Sequence, residues 1–540
     1  MLNKQKINLK NLILAASLFL CFFTIGKILY FSGNIISIAT MHNSYNEVRD
    51  YASFRLTHLL LEGKNPYAPE LFTEINVPFL DLYTIAVPAL TAAVCKLTNL
   101  QIIEGYHLVN LLLFAITVIN LWLIIRDFAP NNKILIFFCI IINSATFFAM
   151  FGVPLFNFRP DTATFFLSTL IFIILYKNKK NTFLLAGLTV LMVFTRQFMI
   201  ITSIPIFLYF LLSGEKKLAF RYFYQCIIAG AAAIIFIQFL FPLYWTETIL
   251  VQFLTSKTYG EFASAIQNIW QFYYRYFMNL VLILIGFIRI YQIKRKSERK
   301  QSLSLLLHEF ASENNFAFYL VLNLFIFTIF LLYLAKCGGD GYKYCQDLLA
   351  PSLFLLTAWI WLKIFPQSMQ SDTKETGISL LILCFCLAAV INYSHFETAT
   401  YTKIDVENFI ALDTDISKYG SEKMYLGINS TQYLINNDIW EPDSIDFNDG
   451  KIEYFNIQHP DNPLYDIIFH PAKIQTAANN YVKRVNDNVS SRQYSLITTC
   501  IDNIIDMDLL GQNYHQYKTY PVKTEANGKR YEVTLWLPNE

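Results

Sequence analysis

The segment GYHLVNLLLFAITVINLWLII, residues 105–125, runs for 21 positions without one Asp, Glu, Lys or Arg. A helix of that length rises about 32 Å, enough to cross the ~30 Å hydrocarbon core of a bilayer. Runs of the same character recur near 11–31, 79–97, 133–151, 162–176, 182–195, 198–213, 222–241, 273–292, 315–335, 347–364 and 376–394. Together they predict a mainly α fold: a polytopic membrane helical bundle of about 11–13 spans filling residues 1–394. The stretch 182–213 reads either as two spans or as one pair broken around Thr195-Arg196-Gln197.

Composition points the same way. Charged residues are 15% of the chain and hydrophobic ones 55%, with a mean hydropathy of +0.38. Soluble domains carry about 25% charge, so the deficit implies lipid as solvent and the bilayer as the first partner. A net charge of +2 gives no case for nucleic acid. The nine cysteines and eight histidines show no metal-ligand spacing, so no metal and no cofactor are expected. Cys337 and Cys345 flank a polar loop and could pair in an oxidising compartment. Basic residues precede 11–31 with no small-residue cleavage site after it, which reads as a retained first span.

Lysine and arginine beside the spans set the orientation. Lys4, Lys6, Lys10, the 177–180 run, Lys216-Lys217 and the 294–300 run should be cytoplasmic. The loop 32–78, the loop 336–346 and the tail then fall outside. One conflict remains: spans at both 79–97 and 105–125 would return the basic segment from Arg126 to Lys133 to the outside. Either one span is miscounted or that segment faces outward. Beyond residue 394 the pattern changes. Short β-type runs (423–428, 452–457, 494–499, 531–537) and a helical segment 501–510 predict a small extracytoplasmic α/β domain over 395–540.

The loop 32–78 is dense in ionisable groups. Residues 44–63 read as a short amphipathic helix on the membrane, with Ser44 and Glu47 as a capping box and Gly63 as its left-handed terminator. Val48, Ala52, Leu56, Leu59 and Leu60 would make its apolar face, with Glu47, Asp50, Ser53 and Thr57 on the other side. Solvated charges on an ordinary interfacial helix are the plain alternative.

The stretch Arg49-Asp50-Tyr51 … Glu62-Gly63-Lys64-Asn65-Pro66-Tyr67 resembles the first external loop of GT-C superfamily glycosyltransferases, in the branch that includes protein O-mannosyltransferases. Phe158-Arg159-Pro160-Asp161, Thr195-Arg196-Gln197 and Gly338-Gly339-Asp340 are similar to further elements of that family. The resemblance implies an inverting transferase of the bacterial cytoplasmic (inner) membrane. It would move a sugar from a polyprenyl-phosphate donor to an envelope glycan, lipid or protein. Asp50 would be the general base, with Glu47 its rival. Arg159, Arg196 and Lys343 would meet the phosphate with Arg55 and Lys336 behind them, and Asn65, Tyr67, Asp161 and Asp340 would line the substrate site. Residue by residue the bland readings stand beside these: an Arg159–Asp161 pair capping a helix, Arg196 snorkelling to the interface, and a plain flexible loop around Asp340. A transporter or lipid flippase and a non-catalytic envelope assembly subunit are the competing functions. The chain has no repeated halves, which counts against transport.

Overall fold

The computed structural model describes residues 48–68, 84–128, 160–177, 181–250, 262–297, 315–334, 345–360, 403–420, 471–500, 504–523 and 530–540, with isolated positions near 15–23 and between 423 and 445. The expected spans at 133–151 and 376–394, most of 11–31, and the expected strand at 452–457 lie outside these residues.

Helices dominate. They are α1 (Val48–Leu61), α2 (Ala86–Thr98), α3 (Ile102–Phe128), α4 (Asp161–Lys177), α5 (Thr182–Thr195), α6 (Ser203–Leu212), α7 (Lys216–Leu240), α8 (Phe262–Arg275), α9 (Phe277–Ser297), α10 (Asn315–Tyr333) and α11 (Gln346–Ala358). Among the described residues three helices are each long and apolar enough to cross a membrane: Ile102–Phe128, Lys216–Leu240 and Phe316–Tyr333. Helix α7 shows what surrounds the bundle. Ala219 and Tyr222 are buried in it, whereas Ile228, Ile235 and Phe239 are 68%, 70% and 85% exposed. An apolar face of that extent is tolerated in lipid and not in water.

Lipid offers no hydrophobic drive between helices, so packing and buried polar contacts hold them together. Tyr222 shares a 2.9 Å hydrogen bond with Thr189, Asn120 donates to Thr169 at 3.3 Å, and Asn323 donates to Ser352 at 2.8 Å. One end is closed by rings. Phe128 meets Tyr176, which meets Phe316, and Phe172 and Tyr209 both meet Tyr319.

Helix α2, which overlaps the expected span 79–97, has 13 residues and about 20 Å of rise, shorter than the ~30 Å hydrocarbon core, and it packs against α3. The two helices approach at Gly105, where a Cβ would stand 2.2 Å from the Cys95 sulfur.

The tail forms the expected α/β unit, with α12 (Lys403–Tyr419), α13 (Pro471–Ser490), α14 (Met507–Asn513), β1 (Met424–Leu426), β2 (Ser444–Ile445), β3 (Leu496–Thr499), β4 (Tyr514–Lys523) and β5 (Arg530–Pro538). Sheet order is β2-β1-β3-β5-β4, with β1 parallel to β2 and β3, and β5 antiparallel to β3 and β4. The expected helix 501–510 is shorter and later. Asp506 caps it at Met507, accepting from the backbone of Asp508 and Leu509 at 3.0 and 3.2 Å. One continuous buried cluster joins Phe54, Val87, Ile102 and Tyr106 to Phe409, Tyr425, Leu496 and Leu535, which seats this domain over α1 and the start of α3.

Gly105→Ala should lower stability in detergent by about 1–3 kcal/mol, the usual range for overpacking. Adding Cys95→Ala removes the opposing sulfur and should restore part of the loss. Thermal unfolding of the two variants against wild type measures both.

Candidate active site

Helix α1 leads into the site and differs from the surface helix that its pattern suggests. Ser53, Phe54, Arg55, Leu56 and Thr57 are consecutive and all buried. At Ser53 and Thr57 the polar side is covered because Tyr106 of α3 reaches it: its hydroxyl shares a 2.9 Å hydrogen bond with Thr57 and donates to the Ser53 carbonyl at 3.1 Å. Its ring also meets Phe54 edge-on at 5.3 Å. Asp50 lies in the first turn of α1, and Arg55 stands five residues on, about 8 Å along the axis. Glu47 lies outside the described residues.

The end of α1 follows its sequence signal. Gly63 has φ +72°; its N–H bonds the Leu60 carbonyl at 3.1 Å and the Lys64 N–H bonds that of Leu59 at 2.8 Å, a Schellman turn. Glu62 bonds Lys64 at 2.7 Å, and that ammonium holds its carboxyl below the usual range. Asn65 and Tyr67, expected at the substrate, act as ties. The Asn65 amide donates to Leu240 O at 2.7 Å, satisfying a carbonyl at the end of α7, and its Oδ1 accepts from the Tyr67 N–H at 3.0 Å. The Leu243 N–H returns a 3.1 Å bond to the Tyr67 carbonyl. Tyr67 is fully buried, its ring edge-on to Phe241 and Tyr244.

From that junction the chain turns through Thr246–Leu250, a π-type turn whose Thr246, Glu247 and Thr248 are all 0% exposed. The Thr248 carbonyl accepts from the Gln197 side chain at 2.9 Å. Gln197 follows Arg196, the break between α5 and a 3-10 turn Gln197–Thr202 that leads into α6. The pair expected around Thr195-Arg196-Gln197 is therefore broken there. Arg196 does not snorkel. It is 4% exposed, its Nη2 is paired with Asp161 at the first turn of α4, and its guanidinium lies 5.5 Å over Phe198. Asp161 is 6% exposed, and a carboxylate suits a helix N-terminus.

The expected Phe158-Arg159-Pro160-Asp161 element thus contributes Asp161, whose partner is Arg196. Arg159, Lys336, Asp340, Lys343 and Cys337 lie outside the described residues; Cys345 is buried at the start of α11. Glu247 was not singled out in the sequence, where it sits in a short polar gap between apolar runs. Only the fold shows it to be a buried acid.

All these groups share one end. Leu240, Arg196 and Asp161 lie at the ends of their helices opposite Lys216, Thr182 and Lys177. The buried cluster places the α/β domain on that same end, above Phe54 and Ile102.

No family model matches the sequence, and no curated protein is similar to it. Among solved structures, ArnT from Cupriavidus metallidurans bound to undecaprenyl phosphate aligns over 97% of this chain and 97% of its own, at 8% identity and a TM-score of 0.49. The same protein in the apo state aligns over 95% and 98%, at 9% and 0.48. An Archaeoglobus fulgidus oligosaccharyltransferase tethered to an acceptor peptide with the NVT sequon aligns over 96% and 76%, at 11% and 0.45.

Removing one partner of a buried ion pair costs about 3–5 kcal/mol, because the other charge stays buried alone. Arg196→Met should therefore destabilise the protein strongly, and the double variant with Asp161→Leu should be the more stable of the two. Denaturation midpoints in detergent give the order.

Proposed function

We propose that this chain is a GT-C-type glycosyltransferase that transfers a sugar, with inversion, from a polyprenyl phosphate to an acceptor in the bacterial cell envelope. What supports the reading is one observation: Asn65 is bonded to Leu240 and Gln197 to Thr248 of the segment 240–248, and Arg196 to Asp161, which links segments far apart in sequence at one end of a lipid-facing bundle. With the lysine-rich ends cytoplasmic, that end is the outer one.

The chemistry follows from the groups. Asp50 takes the acceptor hydroxyl proton, the acceptor oxygen attacks the anomeric carbon, and the bond from that carbon to the phosphate oxygen breaks. The sugar leaves with inverted configuration, and the lipid phosphate departs carrying the negative charge. Arg196 stabilises that charge, because a guanidinium keeps its charge and its planar fork of N–H groups matches phosphate oxygens. Burial in apolar surroundings strengthens each such contact. An arginine buried among apolar helices is a candidate for a functional role.

The test measures sugar transfer in membranes against a panel of polyprenyl-phosphate sugars. Asp50→Asn should lower kcat about 10²- to 10⁴-fold, the span of general-base catalysis, while the protein stays monodisperse with an unchanged melting temperature. If Asp50→Asn keeps its rate and Glu247→Gln loses it, the base is Glu247. A folded wild-type protein that transfers no sugar from any donor, yet moves lipid across vesicles, would make it a flippase.

A further inference from the structure

Helix α8 is the element that neither the span count nor the proposed reaction uses. The sequence predicts a span at 273–292, and the structure begins a separate helix at Phe262. The axes of Phe262–Tyr274 and Asn279–Ile288 meet at 77°, so α8 lies across the direction in which α9 runs. Phe262, Ile266, Trp270 and Tyr274 recur every four residues and are 77%, 66% or, at Ile266 and Tyr274, 51% exposed, with Phe262 and Trp270 the highest in that order. The Trp270 and Tyr274 rings stack at 6.0 Å. On the opposite face Ala265, Asn268 and Phe272 are buried, and the Tyr273 hydroxyl is hydrogen-bonded to Thr328 of α10.

We propose that α8 is an interfacial helix whose aromatic face is seated in the boundary between lipid headgroups and acyl chains. Two observations select lipid as the occupant. The stripe continues into a surface already turned to lipid, since Phe277 and Leu284 of α9 are 58% and 61% exposed. Its residues include Trp and Tyr, which favour the membrane–water boundary because each joins an apolar ring to a polar tip.

The inference does not depend on glycosyl transfer and is tested by depth. A ketone-bearing amino acid is placed singly at Ile266, Trp270 and Tyr274 in the full chain, with the native cysteines kept. Each is coupled to a nitroxide, and the protein is reconstituted in phosphatidylethanolamine/phosphatidylglycerol nanodiscs. Accessibility to oxygen against a water-soluble nickel chelate then reports depth, with Leu284 as the deeper reference. The three depths should agree within about one turn of rise, ~5 Å, and lie shallower than Leu284. A graded change of about 12 Å from 266 to 274 would mean that α8 crosses the membrane, and the proposal falls. It falls equally if the stripe is shielded from both reagents, as a second copy of the chain would shield it, or is open to nickel as in water. Phe262 replaces any position whose label prevents monodisperse folding.

Discussion

The pairing of Arg196 with Asp161 is the constraint on which the site end of the bundle depends. Both side chains are almost wholly buried among helices whose outer faces are lipid-facing. Neither charge could be held there alone. Their pairing ties the start of α4 to the break after α5, and the break itself follows from what Arg196 must do. Its N–H still closes the last turn of α5 on Met192, while its extended backbone turns Gln197 toward the next segment. That side chain takes the Thr248 carbonyl, and the chain before Thr248 carries the carbonyl and N–H that Asn65 and Tyr67 engage. One ion pair therefore sets the position of a loop more than a hundred residues earlier.

The two ends of the bundle are built on different physics. Toward Lys177 and Lys216, rings from α3, α4, α6 and α10 interlock, and the described contacts there are mostly aromatic and apolar. Toward Asp161 and Leu240 the helices end, and ends in an apolar medium leave backbone carbonyls that require donors. Asn65 and Gln197 supply them. Polar groups are thus needed at this end for structural reasons before any substrate is considered.

Much of this was legible in the sequence, and the misses have physical causes. Apolar runs could be read because apolar length is a one-dimensional property: the run 182–195 matches α5 at both ends. Gly63 could be read because a left-handed residue after a leucine run has few substitutes. Arg196 stood out as an arginine among apolar neighbours, but its partner did not, since which carboxylate it meets depends on how α4 packs on α5. Thr57 and Ser53 looked solvated because their covering residue, Tyr106, comes from another helix. Strand β4 was missed because Pro521 and alternating polar residues hide it, although its pairing with β5 holds in register through Tyr520 and Val533. Helix α13 was missed because its Asn-rich sequence has low intrinsic propensity and gains its stability from packing.

Side-chain pairs between helices explain how so apolar a chain adopts one arrangement. In lipid every apolar face is nearly equivalent, so a helix could rotate or slide at little cost. Asn120 with Thr169, Asn323 with Ser352, Asn279 with Thr357 and Thr189 with Tyr222 remove that freedom, because a slip of one residue in any of these pairs buries an unmet amide or hydroxyl. Each links a different couple of helices: α3 to α4, α10 to α11, α9 to α11 and α5 to α7. The serines and threonines among them also bond a carbonyl of their own helix, as Ser352 does at Leu348 and Thr357 at Leu353, which fixes their rotamers. Register is therefore set by a few polar atoms along the core, and the position of Asp161 opposite Arg196 follows from the register of α4 between α3 and α5.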